Sequence, residues 1–272
     1  MNYLQFNNRG KFDVEEQILA EYFGEGNYKG FYKKHFLRDK FQITKDDFIS
    51  GDIDVMFHAM KRLGIEYSYN DYPECLKPYL HRNVWEDTLG NVKKELFEEG
   101  YLKKPIFIKP KDRLKRFTGF VLENIDDLSN CKNAGNQTKI WCSEPVNFVS
   151  EFRCYYAHHL GPLGGRVITF GTPKEDFNWD DYIKVATWVV NELPLDTINH
   201  LPVACALDFG LLPTGEVVLI EVNDFFSLGY YKSCVNPGKS YKDHYCECLL
   251  NRWEELTGTL KVVDWEKELW KD

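Results

Sequence analysis

Two apolar runs joined by a Pro-Thr-Gly turn make up residues 203–223, VACALDFGLLPTGEVVLIEVN, and this stretch decides the fold. Side chains alternate along a strand, so one face of the second run is predicted to turn from apolar to acidic: Val217, Leu219, Glu221 and Asn223. Pairing around the turn sets Asp208 opposite residues 220–222. Directly facing residues lie about 5 Å apart and diagonal ones about 7–8 Å. We therefore expect Asp208, Glu221 and Asn223 to converge.

The chemistry of these three side chains favours a hard cation. Two carboxylates this close repel each other unless a proton or a cation lies between them. Oxygen ligands without sulfur or imidazole suit Mg²⁺, which proteins hold through one or two carboxylates together with nucleotide phosphates. The spacing therefore predicts a Mg²⁺ site at Asp208, Glu221 and Asn223. A hairpin end whose carboxylates face water is the alternative, and spacing alone leaves it open.

A cluster of positive charge lies upstream of the hairpin. Between residues 103 and 116 there are seven cations against the single acid Asp112: Lys103, Lys104, Lys109, Lys111, Arg113, Lys115 and Arg116. In a chain of net charge −8 this cluster is a candidate anion-binding site. Lys109 is the most informative member because it follows an apolar strand. The turn that ends in Thr118 and Gly119 predicts a phosphate lid. A solvated basic hairpin is the alternative.

A third segment, EPVNFVSEFR at residues 144–153, passes through a proline turn into a strand. Glu151 and Arg153 are two residues apart in that strand and therefore point to the same face. They form either a structural ion pair or a ligand-binding pair, because the planar guanidinium group suits phosphate and carboxylate. Arg166, at the start of the next strand, is expected beside this face.

Composition and charge exclude several classes of protein. The 272 residues are 43% apolar and 15% aromatic, which supplies a core and excludes an intrinsically disordered chain. The excess of 42 acidic over 34 basic residues argues against extended contact with nucleic acid. The longest uncharged run is too short to span a membrane, and the N-terminus has no apolar core of a secretion signal. We therefore expect a cytoplasmic protein without a membrane partner.

The eight cysteines are scattered and form no Cys-x-x-Cys pair. This distribution favours reduced thiols in the core of a cytosolic protein. A zinc site at His244, Cys246 and Cys248 is the alternative, although half of a four-ligand set is missing there.

Periodicity predicts both helices and strands. Helices are predicted over 13–22, 54–63, 83–100, 181–193 and from Tyr241 to the closing WEKELWKD. Strands are predicted over 65–69, 103–110, 120–124, 138–142, 148–156 and 166–170, besides the hairpin. Asp13 and Glu16 predict a capping box at the start of the first helix. Because helical patterns give way to short strands near residue 100, we expect an N-terminal α/β region over 1–100 and a second region over 101–272.

The order of these features resembles the ATP-grasp superfamily. It contains a strand-terminal lysine, a Thr-Gly lid, a Glu-x-Val hinge, a Glu-x-Arg strand, and a hairpin with Asp followed after twelve residues by Glu-x-Asn. More closely, the chain is similar to small bacterial and phage ATP-grasp proteins named for one arginine and two lysines. The likeness covers about residues 45–231 and includes Asp71-Tyr72-Pro73 and Arg82. It implies an α+β ATP-grasp fold, in which two antiparallel-sheet subdomains hold the nucleotide, preceded by an N-terminal α/β pre-grasp region.

The resemblance implies a role for each candidate residue. For the phosphates of ATP it implies contacts from Lys109 and from a lid containing Lys115, Arg116, Thr118 and Gly119. For the nucleoside it implies Glu144 and the backbone near Val146 at the adenine, and Glu151 at the ribose. The implied catalytic cations are Lys109, Arg153 and Arg166, and the implied Mg²⁺ ligands are Asp208, Glu221 and Asn223.

The implied reaction is transfer of the γ-phosphate of ATP to a carboxylate, followed by attack of an amine that forms an amide. Positioning and charge neutralisation carry such chemistry without a covalent nucleophile. The substrates implied are small-molecule or peptide carboxylates and amines. A kinase acting on a hydroxyl and a non-catalytic nucleotide-binding protein are the alternatives. Ala206 favours the last, because many ATP-grasp ligases carry an arginine two residues before the first metal-binding aspartate.

Overall fold

The computed structural model describes residues 1–68, 70–100, 102–111, 116–158, 167–173, 177–193, 200–235 and 239–261. The strands are β1 Asn2–Phe6, β2 Tyr28–Tyr32, β3 Phe48–Ser50, β4 Val84–Thr88, β5 Ile106–Pro110, β6 Phe120–Leu122, β7 Lys139–Ser143, β8 Ser150–Ala157, β9 Val167–Thr172, β10 Ala204–Leu211, β11 Val217–Asp224 and β12 Lys232–Ser233. The helices are α1 Val14–Phe23, α2 Lys33–Phe36, α3 Ile53–Arg62, α4 Leu89–Glu99, α5 Trp179–Glu192 and α6 Lys239–Thr257. Short 3-10 helices cover Glu74–Tyr79, Ile125–Cys131 and Phe225–Ser227.

The chain divides into two compact units. The first consists of Met1–Tyr79 and Phe148–Asp272, and the second of Leu80–Asn147. The predicted boundary near residue 100 therefore falls inside the second unit. The reason is that β4 pairs with β7, which places a strand from the first hundred residues in a sheet with later ones. The assignment of 1–100 and 101–272 to separate functional regions stays a prediction.

The first unit contains a parallel sheet in the order β2-β1-β3 and an antiparallel sheet in the order β11-β10-β8-β9-β12. A single apolar core joins buried side chains of both sheets, including Leu4 and Ile49 from the parallel sheet and Tyr155 from the antiparallel one. The long helix α6 contributes Tyr245 and Trp253 to the same core. The N-terminal strands and the predicted hairpin are thus parts of one hydrophobic unit.

The second unit is an antiparallel sheet in the order β4-β7-β5-β6. Helix α4 buries Leu89, Val92 and Leu96 in one core with Ile108 of β5 and Ile140 of β7. The Thr88 side chain caps α4 by accepting a hydrogen bond from the Asn91 backbone N–H at 3.2 Å. In the central strand β7, residues on both faces are buried, among them Ile140 and Trp141.

The predicted helices over 54–63 and 181–193 are confirmed as α3 and α5, and the helix from Tyr241 is confirmed as α6. WEKELWKD lies outside the described residues. The predicted helix over 83–100 is wrong in its first part, because residues 84–88 pair with β7 before α4 begins. The predicted strand over 65–69 is wrong for residues 65–68: the Ile65 N–H instead bonds the Met60 carbonyl and closes α3. Tyr69 lies outside the described residues.

None of the described helices is long and apolar enough to cross a membrane. All eight cysteines lie within the described residues and none forms a disulfide, and seven of them are buried, which confirms the prediction of core thiols. Cys246 and Cys248 lie two residues apart in α6 and therefore face different sides of the helix. Among the described residues no group of three or more His, Cys, Asp or Glu is arranged to hold a metal ion, so these residues give the zinc alternative no support.

The predicted capping box at α1 is also wrong. Asp13 is the N-cap residue, but its side chain makes no capping hydrogen bond and instead accepts from Asn7 Nδ2 at 3.0 Å. The Glu16 carboxyl group is buried and accepts a hydrogen bond from Ser50 Oγ at 2.9 Å. This burial raises the pKa of Glu16 from its ordinary value of 4.5 to about 7.

Glu16 should make the stability of the protein depend on pH. Because its pKa is higher in the folded than in the unfolded state, its contribution is full below about pH 4.5 and is lost as the pH rises through about 7. We expect Glu16→Gln to increase the free energy of unfolding over wild type by up to about 3 kcal/mol at pH 8 and to change it little at pH 5. Urea unfolding at both pH values measures this difference.

Glu25→Gln is the control, because Glu25 lies exposed in a turn after the same helix. It should leave the unfolding free energy nearly unchanged at both pH values. A gain from Glu16→Gln that is equal at pH 5 and pH 8 would show that ionisation of Glu16 is not responsible.

Candidate functional site

Asp208, Glu221 and Asn223 meet on one face of the five-stranded sheet. Asp208 pairs directly with Glu221, and Ala206 pairs with Asn223 two residues further along the same face. The Asn223 amide nitrogen donates to Asp208 Oδ2 at 2.9 Å and to Glu221 Oε1 at 3.1 Å. The convergence expected from the sequence is confirmed, and it brings two carboxylates to one amide group.

A β-bulge in β11 produces this arrangement. Leu219 pairs with Phe209, whereas Glu221 pairs with Asp208, so Ile220 is an extra residue between them. Without it the same turn would set Asp208 opposite Ile220. The bulge places Leu219 on the buried face with Phe209 and Glu221 on the opposite face with Asp208. The predicted common face for Leu219 and Glu221 is therefore wrong, because uninterrupted alternation does not hold across the bulge.

Strand β8 adds a positive charge to the two carboxylates. Arg153 lies opposite Asp208 and donates two hydrogen bonds to it, from Nε to Oδ1 at 2.7 Å and from Nη2 to Oδ2 at 2.8 Å. Burial by itself lowers the pKa of Arg153, but the charge and hydrogen bonds of Asp208 outweigh burial and raise the pKa above its ordinary value. The guanidinium therefore stays charged in a site where it is only 7% exposed.

Two further contacts to Arg153 come from residues that sequence reasoning did not identify. Arg153 Nη1 donates to the Gly229 carbonyl at 3.2 Å, and the guanidinium carbon lies 4.1 Å from the centre of the Tyr231 ring. Both residues follow the β10–β11 hairpin, within ten positions of Asn223. Their only sequence signal is the Gly-Tyr-Tyr run at 229–231, which does not by itself indicate a partner.

Glu151 lies on the same sheet face as Arg153, as predicted. It pairs with Gly210, two positions along β10 from Asp208, and its side chain is exposed. Arg153 forms an ion pair with Asp208 across the strand pair. Arg166 lies outside the described residues.

In the second unit, Lys109 lies in β5 opposite Trp141 of β7. The chain leading into β6 passes close to it at Gly119. A Cβ atom on Gly119 would lie 2.6 Å from the Phe107 ring and 3.1 Å from Lys109 Cβ, so a larger residue would push this segment away. The predicted lid residues Thr118 and Arg116 precede this crossing and are exposed. Lys115 lies outside the described residues.

Glu144 directly follows β7 of the same sheet. The Asn83 backbone N–H donates to Glu144 Oε2 at 3.1 Å, and the Glu144 N–H donates to the Asn83 carbonyl at 3.3 Å. These bonds extend the β4–β7 ladder by one pair beyond Val84 and Ser143. Glu144 is thus held at the hinge position, and Val146, two residues on, is half-buried. The role of both at adenine stays a prediction.

The acidic group in the first unit fits Mg²⁺. Its donors are two carboxylates and one amide, all hard-oxygen groups of the kind that Mg²⁺ takes from proteins. The positive charge of Arg153 and the N–H donors of Asn223 offset the repulsion between the carboxylates. The oxygen and nitrogen of the Asn223 amide lie on opposite sides of its terminal carbon. Rotation of the amide group by half a turn therefore places Oδ1 where Nδ2 lies.

The fold is similar to that of several proteins of known structure. D-alanine–D-alanine ligase from Bacillus anthracis is similar at 12% identity, over 94% of this chain and 97% of that one, with a TM-score of 0.51. The VanG D-Ala:D-Ser ligase from Enterococcus faecalis is similar at 12% identity, over 93% of this chain and 98% of that one, with a TM-score of 0.50. No curated protein matches the chain.

A family model of the ATP-grasp domain matches residues 79–239; it describes family 2 of the clade named for one arginine and two lysines. The matched range contains all the candidate site residues from Lys109 to Asn223 and begins one residue before the second compact unit. The predicted α+β class and ATP-grasp fold are confirmed. Because the match covers more than half of its length, the chain belongs to this ATP-grasp domain family, the second family of the arginine-and-two-lysines clade.

Proposed function

We propose that this protein is an ATP- and Mg²⁺-dependent carboxylate–amine ligase that releases ADP and phosphate. The observation that carries the proposal is the group formed by Asp208, Glu221, Asn223 and Arg153 on one sheet face of an ATP-grasp family member. A surface hairpin has no need to gather two carboxylates, an amide and a buried guanidinium. Such a group suits the binding of a cation together with negatively charged phosphate.

Asp208, Glu221 and Asn223 would hold Mg²⁺, which neutralises negative charge on the phosphate oxygens when bound. Arg153 would supply a fixed positive charge beside these ligands. Its bidentate pair with Asp208 keeps both groups in one orientation, and oriented charges that need no rearrangement are the main contribution of a protein to phosphoryl transfer.

Arg153 also accounts for the absence of an arginine at position 206. Ala206 is fully buried in the apolar core, so that position has no room for a guanidinium group. Arg153, on the neighbouring strand, brings a guanidinium to Asp208 instead. The positive charge expected beside the first metal-binding aspartate is present, which favours a catalytic over a non-catalytic protein.

The phosphates of ATP would be bound in the second unit by Lys109 and the segment that crosses it at Gly119. Thr118 and Arg116 extend this segment, and Lys115 belongs to it in sequence. We also propose that Glu144 and Val146 contact the adenine, that Glu151 contacts the ribose, and that Arg166 supplies a further positive charge to the reacting phosphate.

The chemistry has two steps. A carboxylate oxygen of the substrate attacks the γ-phosphorus, ADP leaves, and an acyl-phosphate forms. An amine then attacks the acyl carbon, phosphate leaves, and the amide nitrogen releases a proton. Small-molecule or peptide carboxylates and amines are the substrates we propose. The similar D-alanine–D-alanine and D-Ala:D-Ser ligases, by name, join amino acids of this kind.

The products distinguish this reaction from its alternatives. With ATP, Mg²⁺ and a mixture of amino acids and peptides, we expect equal amounts of ADP and free phosphate, and a new amide detectable by mass spectrometry. Release of AMP and pyrophosphate would contradict the proposal. ADP with a phosphorylated product and no free phosphate would identify a kinase instead.

The metal assignment predicts the effect of weakening two of the proposed ligands. We expect Glu221→Gln and Asn223→Ala each to lower turnover at least about 100-fold, because the first removes a negative charge from the metal ligands and the second removes an oxygen ligand. Both should also weaken binding of Mn²⁺ in the presence of ATP, measured by electron paramagnetic resonance. Glu216→Gln is the matched control, because Glu216 lies at the turn of the same hairpin, away from the carboxylate pair. Unchanged metal binding in folded Glu221→Gln would refute the assignment.

Substituting Arg153 tests the role of the fixed cation. Lysine keeps the charge but cannot form the two parallel hydrogen bonds to Asp208. We expect Arg153→Lys to reduce kcat at least about tenfold with a smaller change in KM for ATP. Steady-state kinetics over a range of ATP concentrations measure both. An Arg153→Lys protein with wild-type kcat would show that bidentate geometry is unimportant.

A further inference from the structure

Residues Leu228–Tyr231 follow the β10–β11 hairpin and the 3-10 helix Phe225–Ser227. Side chains from other elements bind the backbone of these four residues, and we call them the anchored segment. Two of its groups are held by the N-terminal and C-terminal helices. The Tyr230 N–H donates to Glu15 Oε1 of α1 at 2.9 Å. The Leu228 carbonyl accepts a hydrogen bond from the Tyr245 hydroxyl of α6.

Other groups of the segment are held by the hydroxyls of Tyr155 and Tyr241. The Tyr155 hydroxyl donates to the Gly229 carbonyl at 3.3 Å and accepts from the Tyr231 N–H at 2.7 Å. The Tyr231 carbonyl accepts from the Tyr241 hydroxyl at 2.8 Å. A loop usually leaves such backbone groups to water. Here side chains from α1, β8 and α6 bind them, so the backbone of the segment is fixed relative to the sheet.

The anchored segment also contacts Arg153. The Tyr231 ring covers the guanidinium at 4.1 Å, and the Gly229 carbonyl accepts from Nη1 at 3.2 Å. Gly171, which faces Arg153 on β9, makes room for this cover. A Cβ atom at position 171 would lie 2.9 Å from Tyr231 Cβ and 2.5 Å from the Tyr241 hydroxyl. A side chain at this position would therefore displace both tyrosines.

We propose that Tyr231 is a positioning residue, which holds the Arg153 guanidinium flat against Asp208 so that its charge stays fixed beside the proposed metal ligands. The catalytic part of this inference rests on the proposed function, whereas the positioning part does not. An arginine held by one carboxylate can still turn about its long side chain. The Tyr231 ring and the Gly229 carbonyl restrict that motion on two further sides.

The interaction of Tyr231 with Arg153 depends on the ring and not on the hydroxyl. A cation over an aromatic face is attracted by the charge distribution of the ring, which phenylalanine shares with tyrosine. Tyr231→Phe should therefore preserve the position of Arg153, and Tyr231→Leu should release it. Tyr230→Leu is a matched control, since Tyr230 packs on the rings of Tyr241 and Tyr245, away from the guanidinium.

The experiment records the Arg153 Nε–H signal by nitrogen-edited NMR, assigned with Arg153→Lys, together with the kinetics of ATP turnover. In wild type, Tyr231→Phe and Tyr230→Leu we expect a sharp signal that exchanges slowly with water. In Tyr231→Leu we expect exchange to accelerate about tenfold or more, and kcat to fall about tenfold with KM for ATP changed less than about twofold. Thermal unfolding of each variant establishes that it is folded.

Each result decides one point. An unchanged Arg153 signal in folded Tyr231→Leu overturns the positioning role, whatever the kinetics. Equal losses in Tyr231→Phe and Tyr231→Leu overturn the assignment to the ring. If the Arg153 signal responds as expected but wild type releases no ADP with any carboxylate and amine, the proposed function fails and the positioning role stands.

Discussion

Repulsion between two neighbouring carboxylates is the constraint on which the rest of the site depends. Asp208 and Glu221 are directly paired in an antiparallel ladder, the closest approach that a sheet offers. The protein offsets this cost with a charged arginine on one side and an amide on the other. Arg153 comes from β8 and Asn223 from the bulged strand β11. The sheet therefore keeps two carboxylates together on one face, which is the arrangement that the proposed Mg²⁺ site would use.

Each of the two compact units carries candidate site residues within one sheet. The first presents acidic and amide groups on antiparallel strands, and the second presents Lys109 beside a chain crossing that only glycine permits at position 119. In both units, strand pairing sets the spacing of the side chains, and a local irregularity sets the direction in which they point. The irregularity is the bulge at Ile220 in the first unit and Gly119 in the second. Precise placement of a few side chains thus comes from small departures from regular sheet geometry.

The sequence was sufficient for the hairpin and for placing Asp208 opposite residues 220–222, because turn position and alternation are local properties. The order of its motifs was sufficient for the fold family. It was insufficient for the bulge at Ile220, since nothing in an apolar run of Val, Leu and Ile reveals which residue is left unpaired. It also missed Tyr231 and Gly229, whose contacts depend on how β8 and β9 lie beside the hairpin. The capping box at Glu16 failed for a related reason: tertiary burial against Ser50 outweighed a local helix signal.

The residues that bind the backbone of Leu228–Tyr231 show that the surroundings of the site depend on more of the chain than the family match covers. Glu15, Tyr241 and Tyr245 all lie outside residues 79–239, the range that identifies the family. A fragment trimmed to residues 79–239 would keep the proposed ligand side chains and lose the residues that hold the Leu228–Tyr231 backbone beside Arg153. The surroundings of Arg153 therefore depend on helices that lie outside the matched range.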